Sequence, residues 1–295
     1  MKEKFGLRSF IIHLIVILLG ISCLIPMLNV VAMSLSSSQA VNANQVGLVP
    51  VGLTWAAYER IIGDQQFWRS FGISVFRVIA SLIINLFMIV TMAYPLSKSD
   101  KVFKGRSIFM NIMIFAMLFS GGMIPSYLVV KNLGMINSIW SLILPGAVPI
   151  GNVILVMNFF RGVPKSLEES AIIDGANPWQ VLTRIYIPMS LPSLATVSLF
   201  SIVGSWNDFF GGLIYMTKTE NYPLMTYIQS LSVNIAETIQ KSSNMSAEQL
   251  SSLLEVSDRN LNAAKIVVAV IPLLLIYPML QKYFVKGIVV GAVKE

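Results

Sequence analysis

Six stretches of this chain are apolar for about twenty residues or more, the length that crosses a hydrocarbon core as a helix. They cover about 10–33, 71–96, 107–130, 139–160, 191–215 and 263–284. Composition agrees. Hydrophobic residues make up 55% and charged residues only 12%, about half the charge of a globular chain, and mean hydropathy is +0.74. The expected fold is therefore all-α, a polytopic membrane protein of six transmembrane helices forming one domain over 1–295. The first apolar run is too long for a cleavable signal and lacks a small-residue cleavage site.

Two longer polar segments, 34–70 and 216–262, lie on one side. The first carries an amphipathic pattern around Trp55–Ile62. The second holds Ser246 with Gln249 at capping-box spacing, then Leu250, Leu253 and Leu254 at helical spacing. That pattern reads as a short helix, either a lid or a docking surface for an extracellular binding protein. Basic residues divide the two sides. Lys2, Lys4, Arg8, Lys98, Lys101, Lys104, Arg106, Arg161, Lys165, Arg184, Lys282, Lys286 and Lys294 fall on one, against Arg60, Arg69, Lys131, Lys218, Lys241 and Arg259 on the other. The richer side is cytoplasmic by the positive-inside rule, which places both termini in the cytoplasm and both long loops outside. The net charge of +7 thus sets topology and is not a nucleic-acid footprint. With a single cysteine, Cys23, and a single histidine, His13, neither a disulfide framework nor a metal cluster is expected, and no cofactor. Both residues read as packed within the first span.

Residues 164–188, PKSLEESAIIDGANPWQVLTRIYIP, are polar and sit on the cytoplasmic side between apolar runs. Ser166 with Glu169 forms a first capping box, and Gly175 can take the left-handed conformation that ends a helix after Asp174. Asn177 with Gln180 forms a second, with Pro178 at the first helical position. That second helix is expected to end before Pro188. A charged helix–glycine–helix hairpin between spans is something for another protein to grip.

Glu169-Ser170-Ala171, three residues, Gly175, nine residues, Ile185, one residue and Ile187-Pro188 resemble the EAA loop of bacterial ABC importer permeases, with Ser170 in place of an alanine and Ile187 in place of a leucine. The stretches FSGGMIPSYLVVKNLGMINSIWSLILP and YPMLQKYFVKGIVVGAVKE look like the carbohydrate-uptake class of those permeases, of the LplC and YtcP type, related to the maltose permease subunits. The resemblance implies a six-span subunit of the bacterial cytoplasmic membrane working by alternating access. Its implied partners are a second homologous permease, two ABC ATPase subunits, an extracellular solute-binding protein and an oligosaccharide. It assigns ATPase coupling to Glu169, Ser170, Ala171, Asp174, Gly175 and Pro188. For Glu169, contact with the ATPase is preferred over a purely capping role, because a cap does not account for the whole spacing.

Within the spans, Trp206-Asn207-Asp208 stands out, since an acid at membrane depth is a functional-site hypothesis by default. An aromatic face with amide and carboxylate groups suits a sugar, and SIVGSWNDFF resembles the fifth-span motif of carbohydrate-type permeases; the competing reading is a polar clamp between helices. Arg77 either pairs with Asp208 or snorkels to the interface, and snorkelling is the preferred expectation. Asn85, Asn111 and Asn152 read as interhelical hydrogen-bonding groups with pore lining as the alternative, and Asn152 joins the candidate solute path. Pro145, Pro149, Pro272 and Pro278 break or kink their helices, as packing irregularities or as hinges. No G-x-x-x-x-G-K-[ST] and no Gly-Lys pair occurs, so ATP chemistry belongs to another subunit and the chain is not expected to be an enzyme. An ion-coupled secondary transporter would need more intramembrane carboxylates or a histidine. An ABC permease for a peptide or an ion is the nearer rival, and among sugars the sequence leaves uronate oligomers, rhamnogalacturonan fragments and other glycans open.

Overall fold

The computed structural model describes residues 7–231 and 259–292, and all regular structure among them is helical. The Ser246–Leu254 pattern lies outside the described residues. The chain packs as two units, Met1–Phe67 with Ile228–Pro272, and Trp68–Tyr227 with Leu273–Glu295. Three continuous helices are long and apolar enough to cross a membrane, and three bent pairs raise the count to six when each pair is one span.

In the first unit, α1 (Leu7–Ser34) is apolar on every face, so no stripe commits it to a core in this chain. Residues 10–28 of it are exposed, Cys23 included, and only its end is buried, at Ala32 and Ser34. The expectation that His13 and Cys23 pack inside is therefore corrected: they lie on a helix whose surface suits lipid or another chain. Helices α2 (Ser38–Asn42) and α3 (Ala56–Gly63) follow, the second matching the amphipathic pattern at Trp55–Ile62. The last helix, α13 (Arg259–Ala292), is longer than the expected 263–284 and runs unbroken past Pro272 and Pro278. Its Lys265, buried, donates to Asp64 Oδ2 at 2.6 Å, while Asp64 Oδ1 accepts the Phe67 backbone N–H at 3.0 Å. One carboxylate thus caps a helix start and neutralises a buried ammonium.

The second unit is built on α4 (Gln65–Ser97). Arg106–Leu118 (α5) and Met123–Asn132 (α6) meet at 113°, so the third apolar run is a sharply folded pair, hinged at Gly122 with φ +85°. Trp140–Ile143 (α7) turns through a 3₁₀ segment at Pro145 and is bent by 46° from Ile150–Arg161 (α8), which starts after Pro149. Then come α9 (Lys165–Ile173), α10 (Pro178–Met189), α11 (Leu191–Asn207) and α12 (Phe210–Tyr215), α10 and α11 meeting at 82°. The fifth span is accordingly broken at Asp208-Phe209 instead of running straight from 191 to 215. Ile89, Val153, Val156, Phe160 and Val197 fill the core.

Candidate functional site

The polar hairpin forms, by partly different means than its spacing predicts. α9 is preceded by Pro164 and has no side-chain cap, so the Ser166–Glu169 box is not made: the helix starts at Lys165, two residues too early for Ser166 to cap it. Its end is as expected. Gly175 adopts φ +80°, its N–H donates to the Ile172 carbonyl at 3.0 Å, and the Ala176 N–H donates to Ala171 at 2.9 Å. These are the two bonds of a Schellman closure. The Asn177–Gln180 box is complete, both bonds at 2.9 Å. α10 does not end before Pro188. It switches to a π turn over Leu182–Tyr186 and continues through Ile187–Met189. The altered hydrogen-bond register lets a residue without an N–H sit inside the helix.

Glu169, Ser170, Asp174, Gly175 and Pro188 are exposed, while Ala171 is half-buried against the core. Beside them stand apolar side chains that nothing among the described residues covers: Ile172, Ile173 at 85% exposure and Trp179 at 57%. On a segment too polar for lipid, such residues mark a protein-binding face.

The residue that moors the hairpin is Glu168, which spacing did not single out. Lys98, at the end of α4, donates from Nζ to Glu168 Oε1 at 2.7 Å and to Tyr186 Oη at 2.8 Å, and Tyr186 Oη donates to Glu168 Oε2 at 2.6 Å. The same ammonium lies 4.2 Å from the Tyr94 ring centroid and 4.1 Å from that of Tyr186, within cation–π reach. Tyr186 is edge-on to Tyr94 and to Phe160. Burial works to raise the Glu168 carboxyl, but hydrogen bonds from Lys98 and Tyr186 and the charges of Lys98 and Lys165 overcome it and leave it below the usual value. Burial pushes Lys98 down, and the bond and charge of Glu168 restore only part. The pair therefore favours the charged carboxylate, while at the ammonium desolvation still outweighs it. A lysine and a glutamate 70 positions apart leave no local pattern to read.

The second polar cluster lies at the break in the fifth span. Arg77 Nη2 donates to Asp208 Oδ2 at 2.5 Å, and Nη1 donates to the Asp208 carbonyl at 3.0 Å. Asp208 Oδ1 accepts the Gly211 N–H at 2.9 Å, and Thr226 Oγ1 donates to the Phe209 carbonyl at 3.0 Å. The arginine side chain is 4% exposed. The snorkelling expectation for Arg77 is therefore corrected, and the reason is the break itself: an interrupted helix frees backbone groups that must be satisfied at membrane depth, and the guanidinium fork serves a carboxylate and a carbonyl together. A Cβ on Gly211 would lie 2.6 Å from Asp208 Oδ2, so only glycine lets this turn close.

Asn85 does the same for the fourth span. With its amide oriented to satisfy both ends, the nitrogen donates to the Gly146 and Ala147 carbonyls at 3.1 and 3.2 Å, and the oxygen accepts from Ser201 Oγ at 3.2 Å. Arg77, Ser81, Asn85, Ser141, Ser205, Asp208 and Tyr215 contribute to a cavity of about 360 Å³, within the range that holds small ligands. The Nε of Arg77 is buried there without a partner. Asp208 is 36% exposed and Asn207 exposed, whereas Trp206 is buried, edge-on to Phe71, and presents no open ring face. Asn152 is half-buried on α8, outside that cavity lining, and Asn111 is exposed, not bonded between helices.

Residues 49–290 match the profile of a family described as binding-protein-dependent transport system inner membrane component. The chain is 38% identical over 281 residues to protein LplC of Bacillus subtilis (93% of this chain, 90% of that protein). It is 36% identical over 294 residues to the polygalacturonan/rhamnogalacturonan transport system permease protein YtcP of the same organism, with all of both chains covered. Its fold is similar, with a TM-score of 0.83 and 33% identity over 96% of this chain and 100% of the other, to a chain in the crystal structure of a bacterial ABC transporter involved in the import of the acidic polysaccharide alginate.

Proposed function

Because the chain belongs to the family of binding-protein-dependent transport system inner membrane components, we propose that it is one membrane subunit of an ATP-driven oligosaccharide importer of the bacterial cytoplasmic membrane. It works with a second, homologous permease, two ATPase subunits and an extracellular solute-binding protein. Both termini and the 164–188 hairpin face the cytoplasm, as the distribution of basic residues supports.

The observation that carries this reading is the hairpin. Glu169, Ser170 and Asp174 sit beside uncovered Ile172, Ile173 and Trp179 on two short helices locked by a Schellman closure and a complete capping box. That is a pre-formed face of mixed charge and apolar character, suited to a cleft on the ATPase. ATP binding moves the hairpin, the bundle shifts between two packings, and sugar is received outside and released inside.

The cavity at Arg77 and Asp208, with exposed Asn207 beside it and Asn152 on the neighbouring α8, is the proposed stretch of solute path contributed by this subunit. Hydroxyls, an amide and one internally matched charge pair suit sugar hydroxyls. Trp206 serves the path indirectly, by packing α11 against α4. An ion-coupled cycle would want several intramembrane carboxylates, and Asp208 is paired with Arg77.

The test is ATP hydrolysis by the co-expressed complex in lipid, with binding protein and either alginate or galacturonate oligomers, for wild type, Glu169→Ala and Gly175→Asp. Stimulation by one sugar, lost in both variants with assembly intact, supports the proposal. Solute movement under an ion gradient with no ATP hydrolysis overturns it.

A further inference from the structure

α9 carries the proposed ATPase-facing residues yet has no fully buried side chain of its own. α10 is different: Val181, Leu182 and Tyr186 are buried in the core. A push applied to α9 therefore needs a stiff link to the bundle, and apolar packing of α9 does not supply one. The charged link to a spanning helix is Glu168, which is bonded at one oxygen to Lys98 and at the other to Tyr186, while Lys98 and Tyr186 are bonded to each other. Each group holds the other two, so none can rotate without breaking two contacts. Charge-assisted bonds in such a closed ring reinforce one another. The Tyr94 and Phe160 rings wall it in from α4 and α8.

We propose that Lys98, Glu168 and Tyr186 form the mechanical joint through which displacement of the hairpin is delivered to α4, making Glu168 a positioning residue for coupling, distinct from the exposed Glu169. This rests on the importer reading of the hairpin. Because α4 also carries Arg77 and Asn85, a rigid shift of α4 alters the polar cavity directly, without a separate relay. The π turn that contains Tyr186 fits the same role, since it aims the phenol back at Glu168 from inside the turn preceding Pro188.

The experiment is hydrogen exchange of the whole complex in lipid, with and without ATP and vanadate, so that no sugar need be known. Wild type is compared with Lys98→Met, with the milder Tyr186→Phe, and with the exchanged pair Lys98→Glu/Glu168→Lys. In wild type, nucleotide changes protection both in 164–188 and in 70–97 and 204–215. In Lys98→Met the hairpin still responds and ATP is still hydrolysed, but the response in the two span segments falls about tenfold; Tyr186→Phe lies between, and the exchanged pair recovers most of it. Span segments that respond as in wild type overturn the joint alone. So does loss of resting hairpin protection together with ATP hydrolysis in both single variants, because the three residues would then only hold the hairpin's fold. A wild-type hairpin that ignores nucleotide overturns the importer reading, and the joint with it.

Discussion

Arg77 on helix α4 and Lys98 just past its end both pair with acids from later in the chain, and they do different work. Arg77 is 4% exposed, and it bonds a carboxylate and a main-chain carbonyl freed where the fifth span breaks. Lys98 is 12% exposed and Glu168 20%, and their bonds run between side chains only. The first pair replaces missing helix hydrogen bonds at membrane depth, so the fold depends on it. The second adds a connection between elements that are each complete without it, which leaves it free to serve motion.

The largest effect should follow from Arg77→Ala. It strands Asp208 and a carbonyl together; breaking a fully buried pair from one side costs about 3–5 kcal/mol, and with Asp208 partly exposed the loss falls at the lower end of that range. Thermal unfolding of the detergent-solubilised complex should shift down accordingly, and Arg77→Lys should recover little, because an ammonium cannot bridge carboxylate and carbonyl in the same way. A stable Arg77→Ala would erase the distinction between the two pairs. Gly211→Ala comes next. Its methyl would press on Asp208 Oδ2, and overpacking of this kind costs about 1–3 kcal/mol. The same unfolding assay checks it, and Gly146→Ala, with open space at its Cβ, is the control for a glycine substitution near the cavity.

Lys98→Met should be milder, about 1–3 kcal/mol, since Glu168 keeps its bond from Tyr186. If it proves as costly as Arg77→Ala, the joint is part of the fold itself and its role in motion is in doubt. Asn177→Ala removes one side of the intact capping box and should cost about 1 kcal/mol, seen as faster amide exchange at Gln180 with little change in overall unfolding.

These contrasts also explain what could be read from the chain beforehand. Length and apolarity gave the all-α membrane class, and turn chemistry gave Gly175, Asn177 and Pro178, because each is a local property of a few neighbouring residues. Contacts between distant positions were not legible. Arg77 lies 131 positions from Asp208, and nothing near it in sequence says that a broken helix will offer it a carbonyl. The same holds for Glu168: its neighbour Glu169 carries the spacing of the importer loop, and Glu168 belongs to no local pattern. The company of Trp206 with Asn207 and Asp208 leaves a sugar platform and a clamp between helices both open, and the fold turns the Trp206 ring inward to Phe71 while Asn207 stays exposed. The break in the fourth span is signalled by Pro145 and Pro149. The break at Asp208-Phe209 is not, because it depends on Arg77 and Thr226 to stabilise it.

The smallest effect near neutrality, and the sharpest for telling the two cations apart, is the pH dependence of the Lys98–Glu168 joint. Glu168 titrates below its ordinary value of 4.5 in the folded protein. Its stabilising contribution is therefore fully present above that value and is lost as pH falls through the lowered folded value. Lys98 has the opposite sign: its folded value lies below 10.5, so charging it in the fold carries a penalty throughout the neutral range, relieved only as pH rises through that lowered value toward 10.5. Between these limits both groups stay ionised and the joint should be indifferent to pH. The difference in unfolding temperature between wild type and Glu168→Gln should accordingly stay constant from weakly acidic to weakly alkaline pH and shrink only in acid below the usual carboxylate range. A difference that vanished already near pH 6 would mean that desolvation governs Glu168 after all, with the carboxyl raised instead of lowered, and the bonds from Lys98 and Tyr186 would then be too weak to carry a load.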